Sequence, residues 1–250
     1  MTLDELFKAA HHGVPEAQYV LALCFENGWD VATDKCVAES WLLKSAEQGY
    51  AVSQYELALL LHGKGDNQVA EAIDWLRKSA NQGYSPAAYL YSLYCEDGIG
   101  MVPDPIESFR FCLLAAERGY CPAAQRAASM LEQGIGVDKN LEQAFYWYCR
   151  AAELGDADAA ASVGRMYAKG IGVKKNDAMA MKWLLEGQKR GSPWALYALS
   201  SVYRFGEIGE SVDSDRADEL AMQAEELLKE RADRGSKEKW AEDIGRPNKS

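Results

Sequence analysis

A glycine returns at positions 13, 49, 83, 119, 155 and 191, in steps of 36, 34, 36, 36 and 36 residues. A period of that length, kept through six copies, constrains the fold more than any local propensity. Each copy is one supersecondary unit that cannot bury its apolar face alone, so neighbours must stack to share a core. Other positions keep the same register. Eight residues before five of the glycines stands an aromatic: Trp41, Trp75, Phe111, Trp147 and Trp183. Three residues before each aromatic stands a small side chain: Ala38, Ala72, Ser108, Ala144 and Ala180. A pair of small residues precedes the glycine, as in Ala9-Ala10, Ser45-Ala46, Ser79-Ala80, Ala115-Ala116 and Ala151-Ala152, with Gly187-Gln188 in the sixth copy. Fifteen residues past the glycine comes a second one: Gly28, Gly98, Gly134, Gly170 and Gly206. The second copy has Lys64 there, between Gly63 and Gly65, and its loop is two residues shorter.

Between these marks apolar residues recur at three and four, the helical period, and not at two. Each unit therefore holds two helices of about 13 residues. The first is expected over stretches such as Ala157–Lys169 and the second over stretches such as Leu141–Leu154. The segments 134–140 and 170–176, Gly-Ile-Gly-Val followed by two charged residues and Asn, read as turns. Their first glycine ends one helix in a left-handed conformation, and Asn140 and Asn176 cap the next. Pro86, Pro122 and Pro193 fall two or three residues past a repeat glycine, inside a first helical turn that tolerates proline. Helices this short are marginal alone. Stacking must hold them, with the small residues allowing close approach and the aromatic filling space against the next unit.

The unit, A-x-x-x-x-L-A/G-x-x-Y-x-x-G-x-G-V-x-x-N/D-x-x-x-A-x-x-W-x-x-x-A-A-x-x-G, resembles the Sel-one-like repeat (SLR), a relative of the tetratricopeptide repeat. Ala159–Gly191 carries it most fully, with Gly170-Ile171-Gly172-Val173 and Ala180-Met181-Lys182-Trp183. Ala123–Gly155 follows, with Gly134-Ile135-Gly136-Val137 and Ala144-Phe145-Tyr146-Trp147. The resemblance covers about residues 3–210. It implies an all-α fold: a right-handed α/α superhelical solenoid of about six helix-turn-helix repeats of ~36 residues with helical caps, its concave face lined by the first helix of each unit. Segment boundaries follow: a capping helix in 1–12, repeats at 13–48, 49–82, 83–118, 119–154, 155–190 and an incomplete 191–210, a C-terminal capping helix in 211–234, and a flexible polar tail in 235–250 whose only large apolar residue is Trp240. The resemblance also implies an adaptor role in assembling complexes, common in bacteria, and brings no catalytic residues with it.

Acidic residues outnumber basic ones seventeen to eight in 1–125 and twenty-one to nineteen in 126–250, for a net charge of −11. Such a body repels phosphate backbones, so nucleic acid is not the expected partner. No run approaches the ~20 apolar residues of a membrane span, and the start, Met1-Thr2-Leu3-Asp4-Glu5, lacks the basic and apolar regions of a secretory signal. A cytoplasmic monomer is expected. The six cysteines (Cys24, Cys36, Cys95, Cys112, Cys121, Cys149) occupy six different positions within the unit, unlike cysteine-rich relatives with a disulfide in every repeat. They read as reduced, buried small hydrophobes, with paired cysteines as the alternative.

No cofactor or metal is expected. His11 and His12 are adjacent, so on a helix they point apart, and with His62 they sit where helices end, at the negative dipole end that suits histidine. Asp213, Asp215 and Asp218 have a faint calcium-loop spacing but lack its glycine and terminal glutamate, so capping and solvation are the expected roles. No catalytic or phosphate-loop motif occurs.

In tetratricopeptide-like solenoids, residues three, six, ten, thirteen and fourteen past the repeat glycine face the groove. Carried over, this places a row of tyrosines there, Tyr19, Tyr55, Tyr89 and Tyr197, which could equally pack between units. Glu26, Glu96, Asp97 and Glu132 would make the groove acidic toward one end, and Arg165, Lys169 and Arg204 basic toward the other. Such a gradient would orient a bound peptide, although a solvated charged face is the alternative. The expected function is a scaffold or adaptor that binds a partner protein or peptide in the concave groove. The alternative is a dedicated inhibitor or immunity protein that neutralises one toxin partner. An enzyme is not expected.

Overall fold

The computed structural model describes residues 2–238. Among them there are thirteen α-helices and no strand: α1 Leu3–His11, α2 Pro15–Asn27, α3 Lys35–Glu47, α4 Ala51–His62, α5 Val69–Asn81, α6 Ser85–Asp97, α7 Pro105–Glu117, α8 Cys121–Gln133, α9 Leu141–Glu153, α10 Ala157–Lys169, α11 Asp177–Lys189, α12 Pro193–Phe205 and α13 Ser214–Glu238. A short 3-10 turn, Asp66–Gln68, fills the loop of the second repeat. The described residues form two compact units that divide after Leu114.

Outside the second repeat, where Gln68 bonds Gly65 within the loop, the turns inside the repeats follow one rule. The residue that caps the second helix of a repeat donates its own backbone N–H to a carbonyl in the last turn of the first helix. Asp34 reaches Phe25 at 2.9 Å, Asp104 reaches Cys95 at 2.7 Å, Asn140 reaches Leu131 at 2.9 Å and Asn176 reaches Tyr167 at 3.0 Å, each nine positions back. In the stretched sixth copy Asp213 reaches Tyr203, ten positions back, at 2.8 Å. The inserted residue is absorbed by the loop, and the closing bond survives. Asn140 and Asn176 cap as expected, accepting from Gln143 and Met179 backbone N–H groups. Asp34, Asp104 and Asp213 do the same work at the equivalent places. Gly28, Gly98, Gly134, Gly170 and Gly206 all end their helices in the left-handed conformation.

In the first unit the core runs through Leu6, Leu21, Trp41, Leu42, Leu57 and Leu61, closed by Ala10, Ala46 and Ala72. The serines of the small pair also bond. Ser45 Oγ donates to the Pro15 carbonyl at 2.7 Å, and Ser79 Oγ to the Ala51 carbonyl at 2.6 Å, the same site one repeat on. In the second unit a stripe of buried alanines, including Ala123, Ala127, Ala151 and Ala159, lets helices approach closely. Leu184, Leu196, Leu199, Val202 and Tyr203 pack there against Ala217, Leu220 and Ala224 of α13.

Two expectations need correction. The repeat aromatics are not uniformly core: Phe111 and Trp41 are buried, but Trp75, Trp147 and Trp183 are only half-buried. The stem and charge of a lysine one turn on cover two of these rings, with Lys44 Nζ 4.2 Å from the Trp41 ring and Lys78 Nζ 3.8 Å from that of Trp75. The C-terminal helix begins at Ser214 and continues through Glu238, four residues into the segment read as a polar tail. The rest of that segment, with Trp240, lies outside the described residues.

Candidate protein-interaction surface

The tyrosines six residues past the repeat glycine pack rather than stand open in the first unit. Tyr55 is 6% exposed and meets the Tyr84 ring edge-on at 5.5 Å. Tyr19, half-buried, lies 5.7 Å from the Tyr50 ring, and burial first, then the charge of Glu56, pushes its hydroxyl up to about 12. Tyr50 and Tyr84 precede α4 and α6 as their N-cap residues, so each ring is held by the start of the next first helix. Tyr89 and Tyr197 are half-buried. At the ends of these helices Glu26 and Asp97 are exposed and Glu96 is half-buried.

In the second unit two of the three basic candidates, Arg165 and Arg204, are paired. Arg165 Nη2 on α10 donates to both oxygens of Glu132 on α8, at 2.8 and 3.0 Å. Tyr148 of α9 adds its hydroxyl to Glu132 Oε2 at 3.1 Å. Burial, with the Glu132 charge second, pushes the Tyr148 hydroxyl up to about 12. Arg204 turns to Asp218 of α13 at 2.6 Å. Lys169 is exposed at the end of α10. The acid-to-base division read from the sequence therefore meets a pair that joins its two halves, Glu132 with Arg165.

An open cleft of about 450 Å³ lies beside that pair. Gln125, Arg126 and Ser129 of α8 form one side. Asp158, Ala161, Ser162 and Arg165 of α10 form the floor, with Tyr148 behind. Trp194 and Ala198 of α12 form the other side. The cleft opens where the tyrosine row is interrupted: the fourth and fifth repeats carry Gln125 and Ala161 at the position held elsewhere by Tyr19, Tyr55, Tyr89 and Tyr197. Trp194 is 53% exposed, an uncommon state for a ring of that size. Asp158 is held by Ser192 Oγ at 2.6 Å and by Arg231 of α13 at 2.8 Å. Neither Trp194 nor Gln125 stood among the residues singled out from the sequence. Their signal was present, since Trp194 lies three and Gln125 six past a repeat glycine.

The remaining candidates are structural. His11 Nδ1 and His12 Nδ1 lie 2.8 and 2.6 Å from the carbonyls of Phe7 and Lys8 on their own helix. The His62 ring packs 5.6 Å from that of Tyr94. Asp213 caps α13 and Asp218 takes Arg204. Among the described residues no three ligating side chains gather to hold a metal, and no helix is long and apolar enough to cross a membrane. None of the six cysteines is joined in a disulfide among the described residues.

The Sel1 repeat family model matches five times, over residues 15–50, 51–84, 85–120, 122–156 and 157–187. Among solved structures, a protective antigen of uropathogenic Escherichia coli with an SLR fold superposes with a TM-score of 0.77 at 30% identity, over 90% of this chain and 49% of that one. The chain thus spans about half the length of that protein. A Sel1 repeat protein from Oxalobacter formigenes superposes with a TM-score of 0.67 at 28% identity, over 90% of this chain and 88% of that one. An immunity protein from Pseudomonas aeruginosa aligns with a TM-score of 0.44 at 19% identity, over 74% of this chain and 72% of that one. No curated protein matches the chain.

Proposed function

The chain belongs to the Sel1 repeat family, and on that premise we propose that it is a monomeric cytoplasmic adaptor that holds a partner protein or peptide on the face formed by the first helices of its repeats. Sel1 repeats mediate protein interactions and form a non-enzymatic scaffold family. The observation that carries the reading is the cleft spanning α8, α10 and α12, with the half-exposed Trp194 at its edge. A large aromatic kept in water at the rim of a polar cleft is the usual anchor of a protein interface.

The test is site-specific photocrosslinking in the native host. A crosslinker at Trp194 should capture partner protein, and one at the exposed Glu142 of α9 should not. Capture at position 142 alone would overturn the choice of face. Several partners in sub-stoichiometric amounts support the adaptor. One tight stoichiometric partner would instead make the protein a dedicated inhibitor.

A further inference from the structure

We propose that the cleft of the second unit is a seat for an acidic side chain: an extended segment of the partner places an Asp or Glu carboxylate on Arg165 and an apolar side chain against Trp194. This rests on the interaction reading above and names the chemistry of what is bound.

The argument is an inventory of open hydrogen-bonding capacity. Both carboxylates at the cleft are occupied on both oxygens. Glu132 accepts from Arg165 through each oxygen and from Tyr148 through Oε2. Asp158 accepts from Ser192 through Oδ1 and from Arg231 through Oδ2. The donors are not used up. Arg165 engages Glu132 through Nη2 alone, and its Nη1 and Nε have no hydrogen-bond partner among the described residues. The Trp194 indole N–H has none either, and the Gln125 amide is likewise unengaged. Arg165 keeps 36% of its side chain exposed, so an incoming group can reach it.

A cationic ligand would meet Arg165 and Arg126 and find every carboxylate oxygen at the cleft already holding a donor. A carboxylate would gain charge-assisted bonds without displacing Glu132. The small side chains of Ala161 and Ala198 leave room for a neighbouring side chain beside the Trp194 ring. The occupant is an internal acidic residue of a partner, since the open donors lie spread across three helices and suit an extended chain.

The test uses the full chain and a random displayed peptide library as probe. Peptides selected on the wild type should be enriched in Asp and Glu. Replacing the shared acid by its amide isostere should weaken binding about tenfold or more, the scale of one charge-assisted bond. That sensitivity should vanish against Arg165→Met and be kept by Arg165→Lys, with helical content unchanged by circular dichroism. Trp194→Ala, which removes an exposed ring and leaves the fold, provides an independent arm and should weaken the same peptides. Peptides that need Trp194 but are neutral or basic overturn the acidic seat and leave the face intact. Peptides indifferent to both substitutions, or a library that enriches nothing, overturn the seat and the face together.

Discussion

Gln48, at the end of α3, donates its amide to Gln18 Oε1 on α2 at 2.6 Å, and Gln18 in turn donates to the Ala10 carbonyl at 3.0 Å. One repeat on, Gln82 donates to Gln54 at 2.8 Å and Gln54 to the Ala46 carbonyl at 3.0 Å. The acceptors Ala10 and Ala46 sit three residues before a repeat glycine and also accept its backbone N–H, from Gly13 at 3.1 Å and Gly49 at 3.0 Å, so the glutamine amide uses the second lone pair of a helix-end carbonyl. Gln18 and Gln54 are each 4% exposed, so their amides have no water to fall back on. Later repeats put Ala88, Ala124 and Ala160 at this position, and Arg190 bonds the Ala152 carbonyl instead, at 2.6 Å.

The first expected outcome follows from that ladder. Gln18→Ala should lower the stability of the first unit by about 1–2 kcal/mol, because it removes two side-chain hydrogen bonds, while the Ala10 carbonyl keeps the Gly13 N–H at 3.1 Å. Gln48→Ala should cost less, since the exposed Gln48 site is open to water. Urea denaturation of both variants and the double mutant gives the coupling between the two amides. Independent, additive effects would mean that the ladder contributes no cooperative stability.

The repeat aromatics should be unequal despite their shared register. Phe111 is 2% exposed and meets the Tyr91 ring edge-on at 4.7 Å, so Phe111→Ala should cost about 3–5 kcal/mol. Trp147 is half-buried, so Trp147→Ala should cost clearly less although it deletes the larger ring. Equal losses in chemical denaturation would contradict this ordering.

Thiols and phenols set the alkaline limit. Burial pushes Cys95 and Cys149 up to about 11 and Tyr91, Tyr94 and Tyr148 up to about 12. Each is neutral when protonated, and each is held protonated by the fold. The unfolded chain releases these protons earlier, from its ordinary thiol range near 9. Stability is therefore unaffected below that range and falls as pH rises through 9 toward 11–12. Melting temperature against pH should show that decline. With a thiol reagent near neutral pH, native Cys36, the exposed one, should react first, and the denatured chain should reveal all six without reductant. Protected pairs would overturn the reduced reading.

How much of this was legible in the sequence depends on whether a residue's role is set within its own repeat. The helix Ala157–Lys169, the caps Asn140 and Asn176 and the proline-bearing first turns are local events, and reading them needs only the period and the capping rules. The exposure of Trp147 depends on neighbouring helices, as does the burial of Tyr55 under Tyr84. The pair Glu132 and Arg165 joins residues 33 apart and requires knowing which helices lie side by side. Trp194 differs for another reason: the tyrosine at position six recurs with the scaffold, whereas the proposed binding residue stands at a position that varies from repeat to repeat.

The close approach of the turns to the neighbouring repeat is tested at Gly172, the second glycine of its turn. Its φ is +66°, and a Cβ built there would land on the carbonyl of Leu141 at the start of α9. Gly134 has a similar φ of +80°, but its nearest atom to such a Cβ is Lys139 Cβ at 3.5 Å. Both substitutions to alanine bear the left-handed penalty of about 1–2 kcal/mol. Gly172→Ala should cost more, because the turn or the α9 N-terminus must also move, and backbone cannot yield as a flexible side chain does. Gly134→Ala is the control that removes the conformational part. If both variants unfold at the same urea concentration, the Gly172 turn stands off Leu141 in solution, and the contact contributes nothing to the coupling between these repeats.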